Sequence, residues 1–413
     1  MVDVGTTSVR ASIVLPDATV TLARREPLVV ATPAPGLVEI DAERMAESVV
    51  RLASVVLGAG GPVLGLAIAA QRATTVVWER ATGRPVAPAI GWQDLRTVTT
   101  CLDLQSQGVR LAPNMSATKV AAILDDIDPE RRRADQLCAG TVESWIAWTL
   151  TGGSAAPGAL HVTDATNAAV TGMLRTGGDA EGRYAEWDPV VLDALRIPVS
   201  MLGRIVDTCG ALSEAAALPG SPPLCALVGD QQASLVGQGC TQSGRAKATF
   251  GTGGMLDVCT GNLPPPHPGR SQAGTFPIVA WRHDGALTWG AEAVMLTAGA
   301  CVDWLKEKMG LIENAAQSAD IASSCASTDG VTFVPALFGL GTPVWDFGAR
   351  GALLGLTQAT GRHQIVRAVL EGIAQRGADL LAAAEADSGC SVETLRVDGG
   401  MSANDVFVHA LAE

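Results

Sequence analysis

Aromatic side chains are scarce in this chain, at 4%, and tyrosine occurs once, as Tyr184. A stacking platform for nucleic-acid bases needs several exposed rings, so that class of function is disfavoured. Basic residues are few as well: 29 Lys and Arg face 42 Asp and Glu, a net charge of −13. Such a balance argues against nucleic-acid and anionic-membrane partners, while a local basic pocket for a phosphate stays open. Charged residues of all kinds reach only 17%, against 47% hydrophobic, which excludes a disordered chain or a coiled coil. No C-x-x-C occurs among the nine cysteines, and their number is odd. Neither a zinc site nor a disulfide framework is indicated; small core residues in a reducing compartment are. One long uncharged run, Leu52 to Ala70, is broken by Gly58, Gly60, Gly61 and Pro62. It reads as a helix end, a turn and a buried strand, with no membrane insertion. Met1-Val2-Asp3 has no basic stretch leading into an apolar one, so a cytoplasmic location is expected. What remains is a soluble, acidic, Gly- and Ala-rich α/β enzyme.

At 413 residues the chain has room for two or three domains. Two segments look like copies of one device. Val2-Asp3-Val4-Gly5-Thr6-Thr7-Ser8-Val9-Arg10 leads into apolar Ala11-Ser12-Ile13-Val14, and Ala248-Thr249-Phe250-Gly251-Thr252-Gly253-Gly254 leads into Met255-Leu256-Asp257-Val258. Each predicts strand, tight Gly/Thr turn, strand: a hairpin whose backbone N–H groups and hydroxyls can hold phosphate oxygens. A second pair, Leu224 to Asp230 and Thr394 to Gly400, predicts apolar strands ending in Asp/Gly, each followed by a small-residue helical segment. Repetition in the same order predicts two related halves, 1–237 and 238–413, joined near Gly237-Gln238-Gly239. Helical spacing of apolar residues appears at Ile365 to Leu381 and at Val142 to Leu150, the latter stopped by Gly152-Gly153. The Pro/Gly-rich stretch from Leu263 to Gly269 reads as an exposed connection.

Further blocks lie between these devices: Thr74-Thr75-Val76-Val77-Trp78, Gly91-Trp92-Gln93-Asp94, His161-Val162-Thr163-Asp164-Ala165-Thr166-Asn167, Gly229-Asp230-Gln231-Gln232 and Asp398-Gly399-Gly400. Gly351 to Leu356, with Gln364-Ile365 and Ala368 to Glu371 after it, adds another. In this order they resemble the FGGY carbohydrate kinase family, and within it the branch that phosphorylates glycerol, from Asp3 to the last residues. The resemblance implies an α/β fold of two actin-like, ribonuclease-H-like domains with a nucleotide and substrate cleft between them. It implies transfer of the γ-phosphate of ATP, with Mg2+, to a hydroxyl of a small polyol or sugar. Glycerol is the first candidate, and a tetritol or pentulose the alternative. A reading of another class is a catalytically silent actin-like protein that binds nucleotide without transferring phosphate. A homo-oligomer is compatible with the sequence and not required by it.

Phosphoryl transfer to an alcohol needs a carboxylate near the attacking hydroxyl, a cradle for the phosphates and a cation to screen them. The resemblance puts the catalytic carboxylate at Asp230; read alone, an Asp at a strand–helix junction is equally a helix N-cap. Asp3 is the candidate for magnesium, or else a turn-stabilising residue. For ATP the resemblance implies Thr6, Thr7, Ser8 and Arg10 in the first hairpin and Gly251 and Thr252 in the second. It adds Gly299, Asp303, Gly400 and Asn404. Arg10 and Asp303 read equally as solvated charges. For the acceptor it implies Gln71, Arg72, Trp92, Asn114, Asp230 and Gln231, with an ion pair as the other reading of Arg72. Three positions depart from the glycerol-phosphorylating pattern: Ala73 stands for Glu, Asn114 for Tyr and Met255 for Phe. Relatives also have a fuller first strand and continue beyond the equivalent of Asn404, so the second half is expected to be truncated.

Overall fold

The computed structural model describes residues 1–155, 158–175, 185–264, 266–267 and 269–413. Tyr184, and Pro265 and Pro268 of the 263–269 loop, lie outside the described residues. Two compact units are present: Met1–Ala233 with Val279–Leu287, and Ser234–Ile278 with Thr288–Glu413.

In the first unit, β1 (Val2–Val4), β2 (Ser8–Val14) and β3 (Val20–Pro27) form an antiparallel meander. Helix α1 (Ala42–Gly60) then starts at Asp41, whose carboxylate accepts from Arg44 N at 3.0 Å. Its buried residues Met45, Ala46, Val49, Leu52, Ala53 and Val56 recur at helical spacing and make one apolar stripe. Gly61 ends the helix by donating its N–H to Leu57, and β4 (Leu66–Ala70) follows, parallel to β1. The uncharged run is therefore helix end, turn and strand. Among the described residues no helix is long and apolar enough to cross a membrane.

Helix α2 (Val142–Leu150), α3 (Ala165–Val170), β5 (Cys209–Glu214) and β6 (Pro223–Gly229) complete the frame, before α4 (Asp230–Gly237). The sheet order is β5-β6-β4-β1-β2-β3. A second sheet uses very short strands, Val30–Ala31, Glu39–Ile40 and Ala89–Ile90, beside Thr75–Glu79 and Leu137–Thr141. Three of the few aromatic residues concentrate in the core: Trp78, Trp145 and Trp148 have ring centroids 5.2–5.9 Å apart.

The second unit repeats the device. β7 (Ala246–Phe250) and β8 (Gly254–Gly261) form an antiparallel hairpin, and the same sheet takes in β9 (Phe276–His283) and β10 (Ala286–Met295), of which Val279–Leu287 group with the first unit. After α5 (Gly299–Glu307) and the long α6 (Arg362–Ser388), β11 (Leu395–Asp398) returns parallel to β7, and α7 (Asp405–Ala412) follows. The order is β9-β10-β8-β7-β11. Helix α6 buries Val366, Val369, Leu370, Ile373 and Leu380, while Glu371 pairs with Arg367 one turn back. A buried ion pair, Lys247 Nζ to Asp257 Oδ2 at 2.8 Å, ties β7 to β8. All nine cysteines are free, and five of them are buried.

Candidate active site

Register decides where chemistry can occur in the first unit. Val4 and Gly229 both pair with Ala70, so β1, β4 and β6 run parallel and end at one level. The residues that follow each strand, Gly5-Thr6-Thr7, Gln71-Arg72 and Asp230-Gln231, are thereby gathered at one sheet edge. The carboxyl ends of parallel strands are where open α/β sheets bind ligands.

A closed chain of hydrogen bonds braces this edge. Gln71 Nε2 donates to Gly5 O (3.2 Å), Thr74 Oγ1 to Gln71 Oε1 (3.0 Å), Trp92 N to Thr74 Oγ1 (3.1 Å), and Trp92 Nε1 to Thr6 Oγ1 (3.3 Å). Asp230 Oδ1 accepts from Gln231 N at 2.8 Å and lies 3.8 Å from Arg72 Nε. Arg72 is mostly buried and Asp230 is 33% exposed in its side chain, so the carboxylate faces outward over a sheltered cation. Asp3 lies 3.6 Å from Arg10. Burial pushes its carboxyl above the usual range, and the charges of Arg10 and Arg25 only partly oppose that. Gly229 has no room for a side chain: a Cβ there would lie 2.6 Å from Gln232 Oε1 and 2.9 Å from Arg72 Cδ.

Two candidates of this unit lie below its surface. Gln71 is 1% exposed, and both ends of its amide bond within the brace, so it holds the turn. Ser8 opens β2 and is buried, which withdraws its hydroxyl; Thr6 and the exposed Thr7 are the ones presented. Asn114 is exposed, with its carbonyl accepting from the buried Lys119 Nζ at 3.2 Å. Burial pulls the Lys119 ammonium down to about 7. The next turn meets Ala73 directly, because Ser116 Oγ donates to Ala73 O at 3.1 Å.

In the second unit Thr249 pairs with Asp398, so β7 and β11 also end together. The β7–β8 ladder stops at Phe250 and Gly254, leaving Gly251-Thr252-Gly253 as a turn with Thr252 exposed. The start of α5 docks on that turn: Gly299 N donates to Gly251 O (2.8 Å), and Ala298 N and Ala300 N to Thr252 O (2.9 and 3.1 Å). Only glycine permits this approach, since a Cβ on residue 299 would be 2.6 Å from Gly251 O. Gly400 is exposed beyond β11, and Asp303 sits on the exposed face of α5. Asn404 is bonded within its own unit. Its Oδ1 caps α7 through Phe407 N (3.1 Å) and its Nδ2 donates to Ser318 Oγ (2.9 Å), which fixes the half-buried side chain at the start of α7.

Two further carboxylates have surroundings that only the fold reveals. Asp398 accepts from Ser234 Oγ (2.6 Å) and Gln238 Nε2 (3.0 Å). Burial opposes its ionisation, but those bonds and one from Thr249 outweigh it and hold the carboxyl below the usual range. Glu143, fully buried on α2, accepts at Oε1 from Thr141 (2.7 Å) and Thr163 (2.6 Å). Burial, then the nearby charge of Asp164, push its carboxyl up to about 7. A raised carboxyl favours the fold below the unfolded pKa of 4.5, an advantage lost as the pH rises to about 7. Glu143→Gln, which cannot ionise, is therefore expected to be more stable than the wild type at pH 8, by about 3 kcal/mol. Thermal melts across pH 5–8 check this; the difference should close toward pH 5.

Family models and relatives cover both units. The model of the N-terminal domain of the FGGY family of carbohydrate kinases matches residues 1–237, and that of its C-terminal domain matches residues 246–413. The chain belongs to the FGGY family of carbohydrate kinases. A glycerol kinase of Alkalilimnicola ehrlichii is 40% identical over 399 residues, covering 92% of this chain and 78% of the relative. One from Rhodospirillum centenum is 38% identical over 430 residues, covering 100% and 83%. Among solved structures, Plasmodium falciparum glycerol kinase with ADP superposes with a TM-score of 0.88 at 26% identity, over 100% of this chain and 83% of that one. Xylulose kinase from Lactobacillus acidophilus reaches 0.84 at 19% identity, over 100% and 83%, a likeness of fold alone. The fold is thus that of an actin-like, ribonuclease-H-like FGGY kinase.

Proposed function

We propose that the chain is a glycerol kinase-like enzyme that transfers phosphate from MgATP to a hydroxyl of a small polyol, with Asp230 as general base. The observation that carries this reading is the convergence of Gly5-Thr6-Thr7, Arg72 and Asp230 at the ends of three strands in register. Full-length similarity to glycerol kinases at 38–40% identity supports the reaction class.

Each unit has features that suit MgATP. Thr7 and Thr252 are exposed in tight turns, and a Cβ at Gly251 or Gly400 would meet nothing within 4 Å, so both backbones are approachable. Asp3 offers the hard oxygen that magnesium prefers. Among the described residues no cluster of three or more His, Cys, Asp or Glu could hold a metal ion, so water and phosphate oxygens would supply the rest of the shell. When bound, MgATP supplies the phosphoryl group and the cation that screens its charge. Thr6, Thr7, Gly251, Thr252 and Gly299 are our candidates for the phosphates, Arg10 for charge neutralisation, and Gly400 for the nucleoside. Asp303 stays a candidate for a ribose hydroxyl. Arg72 and Gln231 would orient the acceptor, Trp92 would wall its carbon skeleton, and Asp230 would accept the hydroxyl proton as it attacks. Ala73 and Asn114, where glycerol-phosphorylating members carry Glu and Tyr, point to an acceptor bulkier than glycerol. The reading carries with it a small-molecule acceptor and a cytoplasmic setting.

ADP release across a panel of polyols and sugars tests the reaction; no turnover with any of them would leave only the nucleotide-binding reading. MgATP alone tests the nucleotide. A ligand at 100 times its Kd adds about 2.7 kcal/mol to the folded state, so saturating MgATP is expected to raise the melting temperature over a magnesium control. No shift would remove the nucleotide assignment.

A further inference from the structure

The His161 to Asn167 block has no place in the chemistry above, yet it contains a carboxylate that accepts five hydrogen bonds. Asp164 is completely buried. Its Oδ1 accepts from Thr166 Oγ1 (2.9 Å), Asn167 N (3.1 Å) and Asn167 Nδ2 (2.8 Å); its Oδ2 accepts from Thr166 N (3.0 Å) and Thr208 Oγ1 (2.9 Å). Capping α3 accounts for the two backbone bonds only. The hydroxyl bonds lead elsewhere.

Both donors, Thr166 and Thr208, also bond to β6, the strand that leads into Asp230. Thr166 Oγ1, having donated its proton to Asp164, turns a lone pair toward Gly229 N and accepts from it at 2.9 Å. That amide belongs to the residue immediately before Asp230. Thr208 accepts from Leu227 N through its carbonyl at 3.0 Å, and its hydroxyl accepts from Arg282 N at 3.1 Å. One carboxylate thus fixes β6 at residues 227 and 229. On its other side Gly229 has no slack, because Gln232 and Arg72 occupy the space a Cβ would need.

We propose that Asp164 and Thr166 are positioning residues for Asp230, Thr166 acting through the Gly229 amide and Asp164 by aiming the Thr166 hydroxyl. The inference rests on Asp230 being the general base. Removing the hydroxyl orphans a buried N–H at the joint that aims the base, and a base displaced by a fraction of an ångström loses rate more than affinity.

The experiment compares full-length Thr166→Val, Thr166→Ser, Asp230→Asn and the Thr166→Val/Asp230→Asn double variant. It reads kcat and KM for the best acceptor, KM for MgATP, and melting temperature. Thr166→Val is expected to lower kcat about 10- to 100-fold with KM for MgATP unchanged, and Thr166→Ser to restore most of it. In the Asp230→Asn background the Thr166→Val effect should largely vanish, since a clamp has nothing left to aim. Should Thr166→Val fail to fold, Asp164→Asn read at lower temperature is expected to give the same kcat loss. An undiminished Thr166→Val effect in the Asp230→Asn background, or wild-type kcat in folded Thr166→Val, overturns the positioning role and leaves the base reading intact. Near wild-type turnover by Asp230→Asn overturns the base reading itself, and this inference with it.

Discussion

Asp230→Asn is expected to lower turnover of the best acceptor by about 10²–10⁴-fold while leaving MgATP affinity nearly unchanged. The substitution keeps the shape of the side chain and removes only its capacity to take a proton. Its carbonyl oxygen can still accept from Gln231 N and stay near Arg72 Nε, contacts that Oδ1 makes in the wild type. Asn is also as good an N-cap as Asp, so a purely structural Asp230 predicts no change at all. That makes the measurement decisive between the two readings. A third reading follows from position, because the division between the units falls at residues 233 and 234, inside α4. If Asp230 served a hinge, its loss would disturb nucleotide affinity together with rate. Steady-state kinetics in acceptor and in MgATP, with a melting curve, separate the three cases. Turnover near the wild-type rate would remove Asp230 from the mechanism.

The parts of this site that were legible in the sequence are those written in local patterns. A strand ending in Gly-Asp, or a Gly-Thr turn between two apolar runs, has its signature within about ten residues. The strands 2–4, 223–229 and 246–250 follow it. Strands of two residues, such as Glu39–Ile40, are too short for any alternation to register. Side-chain duties were less legible because they depend on partners far along the chain. Gln71 looked available for an acceptor, but its partner Gly5 lies 66 positions away. Asn404 reads in the sequence only as a nucleotide candidate, and its bonds to Ser318 and to the first turn of α7 come from the fold. Glu143 lies in a helix that is otherwise apolar or neutral, and only the fold brings Thr163 and Asp164 to it. Thr166 was visible as part of a motif, without any sign of the Gly229 amide it would meet.

Ala73→Glu combined with Asn114→Tyr is expected to raise kcat/KM for glycerol by about 10- to 100-fold while lowering it for bulkier polyols. The argument begins with what an acceptor as small as glycerol requires. Its hydroxyls leave water on binding, and each one left without a partner costs about 1–3 kcal/mol. A carboxylate at residue 73 would accept from such hydroxyls; Ala73 cannot, and a missing side chain leaves volume for extra carbons instead. Ala73 is 5% exposed and its backbone is already left-handed, at φ +60°, so the fold has absorbed that strain for a residue with a Cβ. Its carbonyl accepts from Thr75 Oγ1 (3.2 Å) and Ser116 Oγ (3.1 Å), bonds that a side-chain replacement leaves in place. These same bonds tie residue 73 to the turn that follows Asn114, and that is why the two changes are made together. The added carboxylate would sit next in sequence to Arg72, a sheltered cation able to offset its charge. Wild-type enzyme is accordingly expected to prefer a bulkier polyol over glycerol, and the double variant to reverse that order through KM more than kcat. Parallel kinetics on glycerol and on the best acceptor, with melting curves to confirm folding, read the outcome. Efficient glycerol phosphorylation by the wild type, reduced by the double change, would mean that residues 73 and 114 do not set acceptor size.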